Sequence, residues 1–155
     1  MQIIEMQAFS PLYIAYSNND LVAADIALQA SCSIDQIIYS GFTLIEKSAE
    51  DGDYKWFSFA KEHLAKSNIL LDKDALLSIC IENYNDLDHY CSRSPNLIAK
   101  KQGYIDIALD LVHSNPNILS HLDVDGHTYL ENASQAHDLS LYNALVSEYS
   151  SIEHN

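Results

Sequence analysis

The sequence predicts a fold built of short α-helices joined by short turns, and three observations lead to this prediction. The 155 residues include only four glycines and three prolines, whereas a multi-stranded β-fold usually needs more turn-forming residues. Hydrophobic residues make up 48% of the chain, so it can bury a core of its own as one domain. The third observation is a recurring pattern of helix starts.

The helix starts recur at regular distances along the chain. Ser10 and Thr43 lie 33 residues apart, and Ser94 and Thr128 lie 34 residues apart. A serine or threonine hydroxyl accepts a hydrogen bond from the free amides of a first helical turn. Proline, which follows two of the four starts, is tolerated at that position. Each start therefore predicts a helix that begins at the next residue.

Residues at fixed distances after the four starts agree as well. The fifth residue is small, the ninth favours the turn that ends a first helix, and the thirteenth is apolar and belongs to a second helix. In chain order the fifth residues are Ala15, Ser48, Ala99 and Ala133. The ninth residues are Asn19, Gly52, Gly103 and His137. The thirteenth residues are Ala23, Trp56, Ile107 and Leu141. One such helix pair cannot bury its apolar face alone, so the pairs are expected to stack.

These features resemble the ankyrin-repeat family. The segments Ser10-Pro11-Leu12-Tyr13-Ile14-Ala15 and 41–49 are similar to its signature T-P-L-H-x-A, although other residues replace the histidine. The resemblance implies an all-α, ankyrin-like helical-repeat solenoid with short turns and about four degenerate repeats. It would form a single domain, 1–155, with approximate units 9–40, 41–72, 73–93, 94–122 and 125–147.

The middle of the chain departs from this spacing. Thr43 and Ser94 are separated by 51 residues, too few for two whole units. Residues 74–81 predict a first helix, and residues 86–91 predict a shortened second one. We therefore expect an irregular middle repeat that buries less apolar surface and opens more easily than its neighbours.

The charge of the chain is strongly negative. The chain has 22 acidic and eight basic residues, which gives a net charge of −14. No lysine or arginine follows Lys101. Such a chain repels phosphate backbones and anionic lipids, so no direct binding to nucleic acid or membranes is expected. A basic protein surface would be attracted, although the same acidity also serves solubility.

Segment 121–127 is the strongest candidate for chemistry, because it holds two histidines and two aspartates. A calcium loop would need a glutamate six residues after Gly126, where Asn132 stands. We interpret 123–128 as a tight turn before the last helix pair. A metal-dependent enzyme that uses His121–His127 is the alternative function. With no complete catalytic, cofactor or metal-ligand pattern, the sequence predicts a protein that is not an enzyme and needs no cofactor.

The cysteines and the first residues bear on localisation. Cys32, Cys80 and Cys91 are odd in number and widely spaced, which favours a reducing compartment, and Cys91 fits a structural role better than an activated thiol paired with His89. The start of the sequence lacks the basic and apolar segments of a secretory signal. The expected location is the cytoplasm, or a host cytosol if the chain is a delivered effector.

The resemblance also implies where a partner binds. In ankyrin proteins this is usually the concave face, formed by turn tips and first helices. The corresponding candidates are Phe42, Lys47, Glu50, Asp51, Asp74, Glu82, Asp125, His127, Asn132 and Gln135. Further aromatic candidates are Tyr13, Tyr39, Tyr129 and Tyr149. The predicted function is a protein-interaction module that inhibits or regulates a basic partner, as bacterial immunity proteins, antitoxins, effectors or effector regulators do. An acidic mimic of nucleic acid is a further alternative.

Overall fold

The structure is a computed structural model that describes residues 10–89 and 94–153, with side chains described for 10–88 and 94–150. The chain divides into two compact units. The first unit consists of two segments, the chain up to Ser48 and Lys55–Leu71. The second unit also consists of two segments, Ala49–Tyr54 and the chain from Asp72 onward.

The first unit opens with two short helices. Helix α1 (Pro11–Ser17) begins after Ser10, whose hydroxyl accepts the Tyr13 N–H at 3.0 Å. Asn19, at φ 54°, makes the left-handed turn before α2 (Leu21–Ala30). The predicted start at Ser10 and the predicted turn at Asn19 are both confirmed.

A small antiparallel hairpin follows, formed by β1 (Ile37–Tyr39) and β2 (Phe42–Thr43). Its two-residue turn has positive φ at Ser40 (51°) and Gly41 (85°), the arrangement that matches the twist of a tight hairpin. These strands are not predictable from the sequence, because two or three residues are too few to show alternation of apolar and polar side chains.

Two further helices follow, α3 (Leu44–Asp51) and α4 (Tyr54–Lys66). Most of their residues belong to the first unit, whereas Ala49–Tyr54, which includes the turn between them, belongs to the second. Thr43 and Glu46 cap α3 reciprocally: the Glu46 carboxylate accepts the Thr43 N–H at 2.9 Å, and the Thr43 hydroxyl accepts the Glu46 N–H at 3.5 Å. Gly52, at φ 67°, makes the predicted turn between the two helices. The largest fully buried side chains of the first unit are Trp56, Phe57, Leu12 and Leu44.

The second unit is built on two long helices, α5 (Lys73–His89) and α6 (Pro95–Ser114), which pack against each other. A 3₁₀ turn (Pro116–Ser120) leads to α7 (Tyr129–Ala133), which contacts α5, and to α8 (Ser140–Glu153), which contacts α6. Its fully buried large side chains are Tyr84, Tyr104, Leu77, Ile107, Leu111, Ile118, Leu141 and Leu145.

The predicted division of the middle segment into two helices is wrong, because α5 is continuous. Two side chains beyond the predicted end of the first helix form hydrogen bonds that are compatible with a continuous helix. The Asn83 amide donates to the Ile79 carbonyl at 2.8 Å, and the Tyr84 hydroxyl donates to the Asp138 carbonyl at 3.2 Å. Tyr90 and Cys91, at the end of the predicted short helix, lie outside the described residues.

The prediction of a turn at Gly103 is also wrong. Ser94 caps α6 as predicted, its hydroxyl accepting the Leu97 N–H at 3.3 Å, but the helix then runs through Gly103 to Ser114. Ala99, predicted to lie where helices approach closely, is exposed, whereas Ala15, Ser48 and Ala133 are buried. The helix pair predicted for 94–122 is therefore replaced by one long helix.

The helical class predicted from the sequence is confirmed, with one small hairpin added. Within the described residues, no helix combines the length and the apolar character needed to cross a membrane.

Candidate functional site

A groove runs along α5 in the second unit. It consists of two adjoining depressions of about 380 and 620 Å³, which share Ser78, Glu82, Asp123 and Asp125. Helix α5 forms one wall, and the loop 121–128 with the following helix α7 forms the other. We call it the acidic groove.

The α5 wall presents polar side chains at helical spacing. Asp74, Ser78, Glu82 and Asn85 line the groove and follow one another at intervals of four, four and three residues, which places them on one helix face. Asp72 precedes them as the cap of α5, its carboxylate accepting the Ala75 N–H at 3.1 Å. The continuity of α5 is what brings these residues into line.

The opposite wall is a tight loop held by Asp123. One carboxylate oxygen of Asp123 accepts the N–H groups of Asp125 and His127, both at 2.9 Å. The Asp123 N–H donates to the His127 carbonyl at 2.8 Å, and Gly126 supplies the positive φ of 83° that closes the turn. The prediction that 123–128 forms a tight turn before the last helices is confirmed.

Side-chain amides connect the loop to both helices. The Asn132 amide donates to the second oxygen of Asp123 at 2.8 Å, and the Asn85 amide donates to the Asn132 carbonyl at 3.0 Å. Helix α7 begins at Thr128 in a capping box with Glu131, with hydrogen bonds of 2.8 and 3.1 Å. The two walls are thus fixed relative to each other by hydrogen bonds as well as by packing.

Asp74 joins the walls at the other end of the groove. One Asp74 oxygen lies 3.0 Å from His121 Nδ1 and accepts the Tyr129 hydroxyl at 2.9 Å. Tyr129 is buried, and desolvation by this burial raises the pKa of its hydroxyl. The aromatic ring packs inside the unit, while the hydroxyl positions the Asp74 carboxylate at the surface.

The groove is strongly acidic. Its carboxylates are Asp72, Asp74, Glu82, Asp123 and Asp125, and no lysine or arginine occurs among the described residues that line it. The hydrogen bond from the His127 N–H is the largest cause that lowers the pKa of Asp123. The charge of the whole chain is concentrated in the same unit, where the sequence has 16 acidic and four basic residues.

Five of the predicted contact residues lie along this groove: Asp74, Glu82, Asp125, Asn132 and Gln135. His127 belongs to the same loop but does not line the groove. Asp51, near the end of α3, lines a separate depression of about 530 Å³ with Asp53 and Asp106, and Glu50 precedes it.

Two predicted contacts, Phe42 and Lys47, belong to the first unit. Phe42 is half-buried in β2, and the Lys47 ammonium lies 5.2 Å from the centre of the Tyr39 ring. Tyr13 stacks on the other aromatic candidate, Tyr39, at a ring-centre distance of 4.9 Å.

Sequence reasoning missed Asp72, Ser78 and Asn85 as groove residues. The four-four-three spacing from Asp74 to Asn85 was the available signal, and the assumed break after residue 81 concealed it. Tyr129, taken for a surface contact, is 3% exposed and supports the groove from within.

The described residues contain no group of three or more His, Cys, Asp or Glu side chains placed to hold one metal ion. The two described thiols are unpaired: Cys32 is half-buried, and burial strongly raises the pKa of the fully buried Cys80 thiol. Cys80 is accordingly a core residue with little thiolate character. Cys91 and the His89 side chain lie outside the described residues.

Comparisons of the chain with family models, with curated proteins and with solved structures found no match. The chemistry of the groove is therefore the basis for a proposed function.

Proposed function

We propose that the chain is a protein-interaction module of degenerate ankyrin-like repeats, whose acidic groove binds a basic surface of a partner protein and thereby inhibits or regulates it. In its concrete form, the proposed module is a cytosolic protein of bacterial type that acts as an immunity protein, an antitoxin, an effector or an effector regulator. Binding rather than catalysis is the proposed role, with no cofactor.

The helix starts support the repeat part of this proposal. Ser10, Thr43, Ser94 and Thr128, the four residues that define the repeat spacing, all cap helices. The last of them follows a turn-forming loop and precedes the pair α7 and α8. The chain departs from the repeat pattern at α5 and at α6, where a single helix replaces each predicted helix pair.

The observation that carries the binding proposal is the set of five carboxylates in a groove without a lysine or arginine among its described lining residues. Clustered charges of one sign in a concave surface focus the field and attract the opposite charge. Each exposed ion pair adds only about 0.2 to 1 kcal/mol. The groove therefore chiefly steers and orients a basic partner.

Glu82 and Asp125 are the carboxylates available for such a partner. Neither side chain has a hydrogen-bond or ion-pair partner among the residues that the structure describes, whereas Asp74 and Asp123 are engaged in holding the groove. Neutralising Glu82 and Asp125 should weaken binding without disturbing the walls.

The test uses the partner isolated from the native host with the whole chain as bait, followed by binding measurements with the purified partner. We expect a stoichiometric complex with a basic protein, and Glu82→Gln combined with Asp125→Asn should weaken it about tenfold. The matched control is Glu62→Gln, an exposed α4 glutamate whose side chain is 67% exposed.

Unchanged affinity in the Glu82 and Asp125 variant would contradict the proposed function. Competition with duplex DNA provides a second readout. Displacement of the chain from its partner by DNA would identify the acidic groove as a mimic of nucleic acid.

A further inference from the structure

We propose that the acidic groove and the apolar tip of its loop form one docking surface for a partner segment in which arginine or lysine side chains flank an aliphatic one. This inference rests on the proposed function and specifies the segment of the partner that is recognised. The tip consists of Leu122 and Val124, and both side chains line the larger depression of the groove.

The tip presents apolar surface to solvent. Leu122 is 63% exposed and Val124 is fully exposed, at 101% of its reference area. Neither side chain is part of the buried core, and both line the depression together with carboxylates. A partner that covers them would remove apolar surface from water, which is the main source of affinity in protein interfaces.

The loop that carries the tip is already ordered. Asp123, between the two apolar residues, accepts hydrogen bonds from Asp125, His127 and Asn132. Because these bonds fix the backbone before a partner arrives, binding costs little additional conformational entropy. The tip is therefore a rigid apolar projection that a partner segment can contact in one defined position.

The charged residues beside the tip determine which side chains of a partner segment can bind there. Asp125 follows Val124 directly and Glu82 faces it from α5, and both line the groove together with Asp123. A purely aliphatic segment would have to desolvate these carboxylates without pairing them, which is costly. Lysine and arginine carry only hydrogen-bond donors, so they can pair with the carboxylates while a neighbouring aliphatic side chain covers the tip.

The experiment uses three short synthetic peptides: one of alternating arginine and leucine, one with serine in place of leucine, and one with glutamine in place of arginine. Affinity is measured by titration calorimetry, and the binding site is located by amide chemical shifts of the full chain. We expect the arginine–leucine peptide to bind about tenfold more tightly than the arginine–serine peptide. The shifts should map to Leu122, Val124 and Glu82.

Val124→Ser should abolish this difference between the two basic peptides, and Leu70→Ser should preserve it. Leu70 is the matched control because it is 94% exposed and belongs to the first unit. Unchanged melting temperatures would show that both variants remain folded.

Each remaining outcome decides the matter. Equal binding of the two basic peptides in the groove would overturn the role of the tip and leave the proposed function standing. If the glutamine–leucine peptide bound as tightly as the arginine–leucine peptide, the requirement for basic side chains would be overturned. The absence of binding by either basic peptide would overturn both proposals.

Discussion

Gly103 lies directly against the backbone carbonyl of Gly52. A Cβ atom built on Gly103 would stand 1.7 Å from the Gly52 oxygen, and one built on Gly52 would stand 2.7 Å from the Lys100 oxygen. The neighbouring Tyr104 hydroxyl donates a hydrogen bond to the Glu50 carbonyl. Helix α6 therefore meets the turn after α3 through bare backbone, and glycine is required on both sides.

Replacing Gly103 with alanine should destabilise the second unit. Alanine is the better helix former by about 1 kcal/mol, but the clash is with backbone and cannot be relieved by a side-chain movement. We expect a net loss of about 3 kcal/mol, at the upper end for overpacking, measured by urea unfolding. Gln102→Ala, at the exposed neighbouring position, should change stability by less than about 0.5 kcal/mol. A Gly103→Ala variant as stable as the parent would refute this close contact.

The same glycine shows what sequence reasoning can and cannot predict here. The caps at Ser10, Thr43, Ser94 and Thr128 were predictable because each hydroxyl bonds to an amide three residues away. Gly103 was taken for a turn residue because its role depends on Gly52, which is distant in the sequence. Local rules identify helix starts, whereas tertiary contacts decide whether a glycine ends a helix.

The groove shows a similar division between local and distant signals. The tight turn at 123–128 was predictable from its aspartates and glycine. The α5 wall was only partly predictable, because the repeat spacing predicted that a first helix ends at residue 81. In the structure, Asn85 instead donates to Asn132 on α7, a contact that the sequence does not reveal.

The continuity of α5 leads to a prediction about hydrogen exchange. The sequence alone suggested a weak segment after residue 83, but Tyr84 is fully buried and Asp88 is 6% exposed. We therefore expect the amides of Tyr84 and Leu87 to exchange with protection comparable to that of Ile107 and Leu111, because exchange in buried helices requires large-scale opening. Native-state exchange followed by NMR measures these amides individually. Much faster exchange at Tyr84 would indicate that α5 is divided, as the repeat spacing first suggested.

A lysine lies between two aspartates in the second unit. Lys101 Nζ lies 3.1 Å from both Asp88 and Asp138. Burial opposes the charge of Asp88, but the hydrogen bonds from Lys101 and the His137 N–H produce a net lowering of its pKa. The Ser140 hydroxyl is the largest cause that lowers the pKa of Asp138 to about 2. Both carboxylates therefore stabilise the fold when ionised.

Because both pKa values are depressed on folding, their contribution is present above about pH 4 and is lost as the pH falls toward 2. Lys101→Met should cost about 2 kcal/mol at neutral pH, since it leaves Asp88 buried without its cation, and it should reduce the loss of stability on acidification. Lys66→Met, which removes an exposed pair with Glu62 at 3.9 Å, should have little effect. Urea unfolding at several pH values measures both variants. Parallel pH profiles for Lys101→Met and the parent would show that this network does not govern acid stability.

Segment 121–127 should not take up a divalent cation, because its Asp123 carboxylate is already occupied by hydrogen-bond donors. Asp123 accepts two backbone N–H groups and the Asn132 amide, and a bound cation would have to displace these hydrogen bonds. His121 Nδ1 faces Asp74 rather than converging on Asp123. A ligand present at a hundred times its Kd would raise stability by about 2.7 kcal/mol, so thermal unfolding with calcium, zinc or a chelator is a sensitive measurement. We expect the same melting temperature in all three conditions and no stoichiometric metal in native mass spectra. A rise with either metal that Asp123→Asn removes would instead establish this loop as a metal site and favour an enzymatic function.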